Sequence, residues 1–249
     1  MTETELLLVL LFLAVATLYS SVGHAGASGY IAAMALLGFA PEQMRPTALA
    51  LNLLVGGIGL YRFWRGGHVR WRNVLPFVLA SAPAAFFAAQ ITLPKDSYSL
   101  LLGLVLLVAA FGVFRHAARA DAEDTAALGR RVPWLPGLMI GAAIGVLSGL
   151  TGTGGAIFLT PLLLFAHWMP TREASGTSVA FVWINSLTGL AGLLHATGTL
   201  PQALPLWLVA VAIGALIGTQ LGLKWLPVRS LRYALGVVLL IASGKLLFA

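Results

Sequence analysis

Apolar residues run in ten blocks along this chain, near 5–21, 29–40, 47–61, 74–92, 97–114, 135–150, 155–168, 175–194, 203–223 and 229–248, separated by proline, glycine and clustered charge. Blocks of this kind predict helices lying in lipid, and ten of them divide into five and five. At about 1.5 Å per residue, the block at 29–40 rises only about 18 Å and that at 155–168 about 21 Å, against a hydrocarbon core of about 30 Å. These two are expected to stop within the membrane, as half-helices or as arms of re-entrant hairpins whose tips hold Arg45 and Arg172.

Ahead of each short block, glycines interrupt the apolar pattern at one fixed spacing. Gly23, Gly26 and Gly29 form the first break; Gly149, Gly152 and Gly155, with Gly154 beside them, form the second. Interrupted helices at matching places in two halves of a membrane protein point to a transporter's binding site. Asn52 followed by Gly56 and Gly59 parallels Asn185 followed by Gly189 and Gly192, and Pro41 and Pro170 close the two short blocks. The chain therefore reads as a diverged duplication: a first transmembrane repeat over 1–115, a cytoplasmic linker over 116–134 and a second repeat over 135–249.

Composition sets the solvent. With 59% hydrophobic and 9% charged residues and a mean hydropathy of +0.93, the chain has too few charges to cover a water-soluble surface. The formal charge of +7 is concentrated between apolar blocks, at 62–73, 115–134 and 224–229, whereas 195–202 carries no Lys, Arg, Asp or Glu. The positive-inside rule places those basic loops in the cytoplasm and the N-terminus, with Glu3 and Glu5, outside. An odd number of crossings per repeat then inverts the second copy, and replacing two crossings by a hairpin leaves that parity unchanged. The expected fold is an all-α polytopic protein of two inverted-topology repeats, each of about five helical segments with glycine-interrupted or re-entrant helices, in the inner (cytoplasmic) membrane.

The same charge pattern excludes classes of function. The basic balance is a topology signal rather than a nucleic-acid footprint. There are no cysteines, and the five histidines lack the i, i+4 spacing of a helical metal pair, so no metal and no cofactor are expected. No nucleophile and base recur together as an intramembrane enzyme would need. Glu3 and Glu5, without Lys or Arg, argue against a signal peptide and for a retained helix at 5–21.

A glycine break is useful in lipid where its freed amides face protein, water or ligand. Successive N–H groups at the start of a half-helix form a partly positive concavity suited to anionic oxygens. The candidate substrate-binding set is Gly23, His24, Gly26, Ser28, Gly29 and Asn52 in the first half. Ser148, Gly149, Thr151, Gly152, Thr153, Gly154, Gly155 and Asn185 complete it in the second. Each has a plainer reading: small residues let helices pack closely, the asparagines can bond between helices, and His24 can be a packing group rather than a proton carrier. Arg45 and Arg172 are either interfacial charges or cations that attract a substrate. Trp64, Trp71, Trp134, Trp168, Trp207 and Trp225 lie near block ends and read as an aromatic belt, and Lys245 is placed to snorkel.

Glycine-interrupted helices in duplicated halves, with Gly149, Gly152, Gly154 and Gly155 opening the second and Gly176 and Ser178 further on, resemble the sulfite exporter TauE/SafE family of membrane permeases. The resemblance covers nearly the whole chain. It implies transport, as an exporter, of small sulfur-containing anions such as sulfite or organosulfonates; the inverted repeat favours a secondary transporter working by alternating access, with a passive anion channel as the alternative. The first break departs from the family's denser glycine pattern at His24, Ala25, Ala27 and Ser28, which leaves the substrate open. The chain has no ATP-binding motif, so export would draw on the membrane potential, worth about 2.3 kcal/mol per charge across 100 mV, or on a proton gradient. The expected partners are the small anion, the lipid bilayer and, as an option without a marked interface, a second copy in a homodimer.

Overall fold

The computed structural model describes residues 3–21, 24–118, 132–224 and 228–248, and among these the regular structure is entirely helical. Ten helices follow in order: α1 (Glu3–Ser21), α2 (Ala27–Leu36), α3 (Pro41–Arg65), α4 (Trp71–Ala89), α5 (Lys95–Ala118), α6 (Trp134–Thr151), α7 (Ala156–Phe165), α8 (Thr171–Thr197), α9 (Leu204–Lys224) and α10 (Val228–Phe248). Five of them, α3, α4, α5, α6 and α8, are long and apolar enough over their described residues to cross a membrane. Gly23, Trp225 and most of the linker, including Arg119, Asp121, Glu123, Asp124, Arg130 and Arg131, lie outside the described residues.

The short segments are α2 and α7, each of 10 residues, which rise about 15 Å. The long helices after them begin earlier than the apolar pattern suggests. Proline at N1 starts α3, and Pro170 is the N-cap of α8. Pro41, Glu42, Arg45 and Pro46 read as the end of one block yet form the first turns of α3, because Arg45 is buried by its neighbours rather than left to lipid or water.

The most extensive packing joins the two halves of the chain rather than helices of one half. α4 lies on α6, α1 on α9, and α5 on α10; α4 and α3 also pack on α8, and α3 on α9. Exchanging each helix of α1–α5 with its counterpart in α6–α10 turns this set of pairings into itself. Glycines allow the close approaches. A Cβ on Gly137, Gly141, Gly145 or Gly149 of α6 would strike Pro76, Phe77, Ser81 or Ala85 of α4 in turn, so the two helices run parallel. Gly214 and Gly218 of α9 face Leu13 and Thr17 of α1 in the same parallel sense. By contrast α5 and α10 are antiparallel, with Gly103 against Leu247 and Gly236 against Phe114. The stripe on α6 is the small-residue packing motif of membrane helices, with dispersion and not hydrophobic transfer as its driving force.

Two further contacts locate the ends of the short helices α2 and α7. Trp168, just after α7, has its ring 6.3 Å from that of Phe77 in α4. Lys245, near the end of α10, donates to the carbonyl of Leu36 at the end of α2 over 2.7 Å. Of the tryptophans read as a belt, Trp64, Trp71 and Trp134 are exposed. Trp207 is not: it is buried edge-on against Phe12, ring centres 5.6 Å apart, because the packing of α9 on α1 encloses the first turn of α9.

Candidate functional site

The two glycine breaks meet. Ala25, at the first, clusters with Ala156, the first residue of α7, and with Val182 of α8. His24 Nε2 and Thr160 Oγ1 of α7 stand 3.5 Å apart. Asn52 of α3 spans the same junction: its Oδ1 accepts from the Ala27 amide at 2.9 Å, and its Nδ2 donates to Ser186 Oγ of α8 at 3.2 Å. At 1% exposure this asparagine is both an interhelical bridge and the cap of α2. The chain thus places residues from both of its halves around one buried point.

The backbone explains the glycines. Gly26, the N-cap of α2, has φ 103° and ψ 3°, and Gly155, the N-cap of α7, has φ 82° and ψ −8°. A side chain is strained in this left-handed region, so these two positions need glycine for conformation. Gly152 and Gly154 share the positive φ. Gly29 and Gly149 serve differently: a Cβ on Gly29 would lie 2.6 Å from Val15 Cγ1, and one on Gly149 would lie 2.5 Å from the Ala85 carbonyl oxygen. By conformation Gly26 therefore pairs with Gly155, one glycine later in the motif than the spacing alone suggests.

Three carbonyls at the breaks, those of Ala25, Gly149 and Thr151, accept from side chains. Tyr30 Oη donates to the Ala25 carbonyl and Tyr98 Oη, from α5, to the Thr151 carbonyl, each over 3.1 Å. Arg45 donates to the carbonyls of Ala89 at 2.7 Å, Gly149 at 2.8 Å and Ile91 at 3.1 Å, closing the C-terminal ends of α4 and α6. At 6% exposure its guanidinium joins α3, α4 and α6. Arg172 is exposed on the first turn of α8, and its neighbour Glu173 pairs with Arg70 at 2.9 Å.

The amides behave otherwise. At the first break Ala27 has Asn52, while Gly29 and Tyr30 return to the Gly26 carbonyl. At the second, the N–H groups of Gly154, Gly155, Ala156 and Ile157 have no acceptor among the described residues. Asn185, the sequence counterpart of Asn52, makes no equivalent cap: it is fully buried and both its amide atoms lack a partner. Ser148 Oγ is also buried and unpaired, and its Cβ lies 3.7 Å from where a Cβ on Gly155 would be. Buried polar groups without partners are rare in native proteins and call for an explanation. The start of α7, the positive end of a helix, therefore has amides without a protein acceptor among the described residues and the Ser148 side chain close to its N-cap, and helix N-termini of this kind bind oxyanions.

Ser28 is occupied by Tyr19 Oη at 2.6 Å, while Thr151 Oγ1 donates to the Leu147 carbonyl and lies 2.9 Å from Thr153 Oγ1. Among the candidates, then, these hydroxyls shape the breaks, whereas Ser148, Asn185 and the amides of 154–157 are uncommitted. Sequence reading missed Tyr30, Tyr98, Thr160 and Ser186. Tyrosines were legible as a hint, because a phenol inside an apolar block needs a hydrogen-bond partner.

Comparison with known proteins gives a consistent picture. The family described as Sulfite exporter TauE/SafE matches residues 8–246. A "Probable membrane transporter protein y4hK" of Sinorhizobium fredii is 42% identical over 247 residues, covering 99% of this chain and 100% of its own length. A "Probable membrane transporter protein" of Xylella fastidiosa is 29% identical, with 81% of this chain and 78% of that one covered. "Probable membrane transporter protein YdhB" of Bacillus subtilis is 26% identical, with 98% and 100% covered. No solved structure matches.

Proposed function

This chain belongs to the sulfite exporter TauE/SafE family and is a multi-pass membrane transporter, and from that premise we propose that it carries a small sulfur-containing oxyanion, sulfite or an organosulfonate, outward across the cytoplasmic membrane. The observation that carries the reading is the uncapped start of α7. Four buried or half-buried amides, Gly154 to Ile157, lie beside the unpaired hydroxyl of Ser148, with Asn185 as a further uncommitted group of the second half. Neutral dipoles of this kind stabilise a negative oxygen without burying a full positive charge, so the anion can also leave.

The same reading makes α6–α7 and α1–α2 hairpins that enter from opposite faces. In its support, Trp168 after α7 returns to the level of Phe77, near where α6 and α4 start, and the end of α2 meets the end of α10. The pairings that map onto themselves when the halves are exchanged fit an inverted repeat. In that arrangement the N-terminus and the 195–202 loop are outside, the basic loops are inside, and rocking of one half against the other exposes the α7 site to each face alternately. An inside-negative potential favours outward movement of the anion.

Uptake of radiolabelled sulfite into proteoliposomes, with and without unlabelled sulfite trapped inside, tests this directly. Saturable uptake accelerated by trapped substrate is expected; ohmic conductance without acceleration would indicate a channel, and no sulfite or sulfonate flux would overturn the substrate class. Ser148→Ala separates ligand binding from folding. Removing an unpaired buried hydroxyl should leave the melting midpoint unchanged or raised, whereas losing one hydrogen bond to an anion, about 1.5–3 kcal/mol, should weaken apparent affinity roughly 10- to 100-fold.

A further inference from the structure

A cavity lies on the flank of the bundle between α5 and α7, and its lining reaches Ile157 in the first turn of α7. Its volume is about 400 Å³, and Val108, Phe111, Phe158, Leu162 and Phe165 form its walls, with Arg115 and His167 at one end. Phe111, Val108 and Phe165 are exposed on the flank of the bundle, so the cleft opens toward the acyl chains rather than toward the centre. The Arg115 guanidinium lies 4.2 Å from the centre of the Phe165 ring, and among the described residues no carboxylate or carbonyl accepts from it. The other half spends its cation differently: Lys245, near the end of α10 as Arg115 is near the end of α5, is bonded to the last carbonyl of α2.

We propose that this cleft is a binding site for an anionic phospholipid, with the phosphate on Arg115 and one acyl chain along Phe111, Phe158 and Leu162. The argument is complementarity of both kinds. A planar guanidinium whose N–H donors meet no acceptor among the described residues suits a phosphate, and Arg115 is near the end of α5, at the level where a headgroup would lie. The apolar trough leading away from it runs along α7 as far as Ile157, in the first turn of that helix. A bound chain fills the space between α5 and α7 and braces the half-helix whose start is uncapped.

The test uses the purified full-length protein in detergent, with dioleoyl phosphatidylglycerol, dioleoyl phosphatidylcholine or inorganic phosphate added, read by thermal unfolding and by native mass spectrometry of retained lipid. Phosphatidylglycerol should raise the melting midpoint and remain as an adduct, with little effect from the other two. Arg115→Gln should weaken the selective binding about fivefold, the scale of one basic side chain near an anionic surface. Gly112→Leu supplies an independent arm, because a Cβ there would be 3.7 Å from Pro161 Cγ, in ordinary contact, and a larger side chain would fill the trough. It should abolish lipid retention while the lipid-free midpoint is kept. Equal responses to both lipids, a response reproduced by inorganic phosphate, or selective binding that survives both variants would overturn the proposal.

Discussion

Gly155 caps α7 from a left-handed backbone, so alanine there carries two separable penalties. A Cβ in this conformation costs about 1–2 kcal/mol. The methyl group would also stand 2.6 Å from Ile144 Cγ2 and 3.1 Å from Phe181 Cε1, and relieving such overpacking costs about a further 1–3 kcal/mol. Gly38 provides the control: its φ is 80°, yet nothing lies within 4 Å of its built Cβ, so Gly38→Ala meets the backbone penalty alone. Melting midpoints of the purified protein should therefore fall in the order wild type, Gly38→Ala, Gly155→Ala. Ile144→Ala should couple favourably to Gly155→Ala, the double variant losing less than the two single losses combined. Transport should fall with Gly155→Ala and not with Gly38→Ala, because only the former displaces the start of α7. Equal midpoints for the two glycine variants, with no coupling to Ile144, would refute the close packing assigned to the second break.

Arg45→Met should destabilise by about 3 kcal/mol or more, since hydrogen bonds to a charged donor are worth about 1.5–3 kcal/mol each and three carbonyls lose theirs; Arg45→Lys should recover part of it, and a methionine variant as stable as wild type in chemical unfolding would show that the clamp is idle. Asn52→Leu leaves the Ala27 amide and Ser186 Oγ unpaired at a buried junction, a loss of about 1–3 kcal/mol, whereas Ser186→Ala should cost less than half as much in the same assay; the reverse order would contradict the capping role of Asn52.

Much of this molecule was legible in one dimension because lipid imposes a simple rule: segments that cannot reach water must be apolar and must satisfy their own backbone. The ten apolar blocks each correspond to a helix, and the glycine breaks ahead of the two short ones are the places where the chain leaves helical geometry. Gly26 and Gly155 were readable as breaks, since positive φ leaves little choice of residue. The stripe at Gly137, Gly141, Gly145 and Gly149 was also present in the sequence, as a repeat of every fourth residue.

Other features depended on the tertiary structure, and they are those in which a polar side chain had several chemically equivalent choices. Asn52 and Asn185 look alike in sequence, yet only Asn52 finds an amide to cap, because α3 and α8 meet different neighbours. Arg45 and Arg172 follow similar prolines, but packing of α4 and α6 carries three carbonyls to Arg45 and leaves Arg172 exposed. Sequence by itself determined the solvent, the helices and the existence of two breaks, since these follow from local composition and backbone sterics. Which hydroxyls, amides and cations are spent on the fold, and which keep no partner among the described residues, was decided only when distant segments were brought together, because hydrogen bonding is settled by distance and direction.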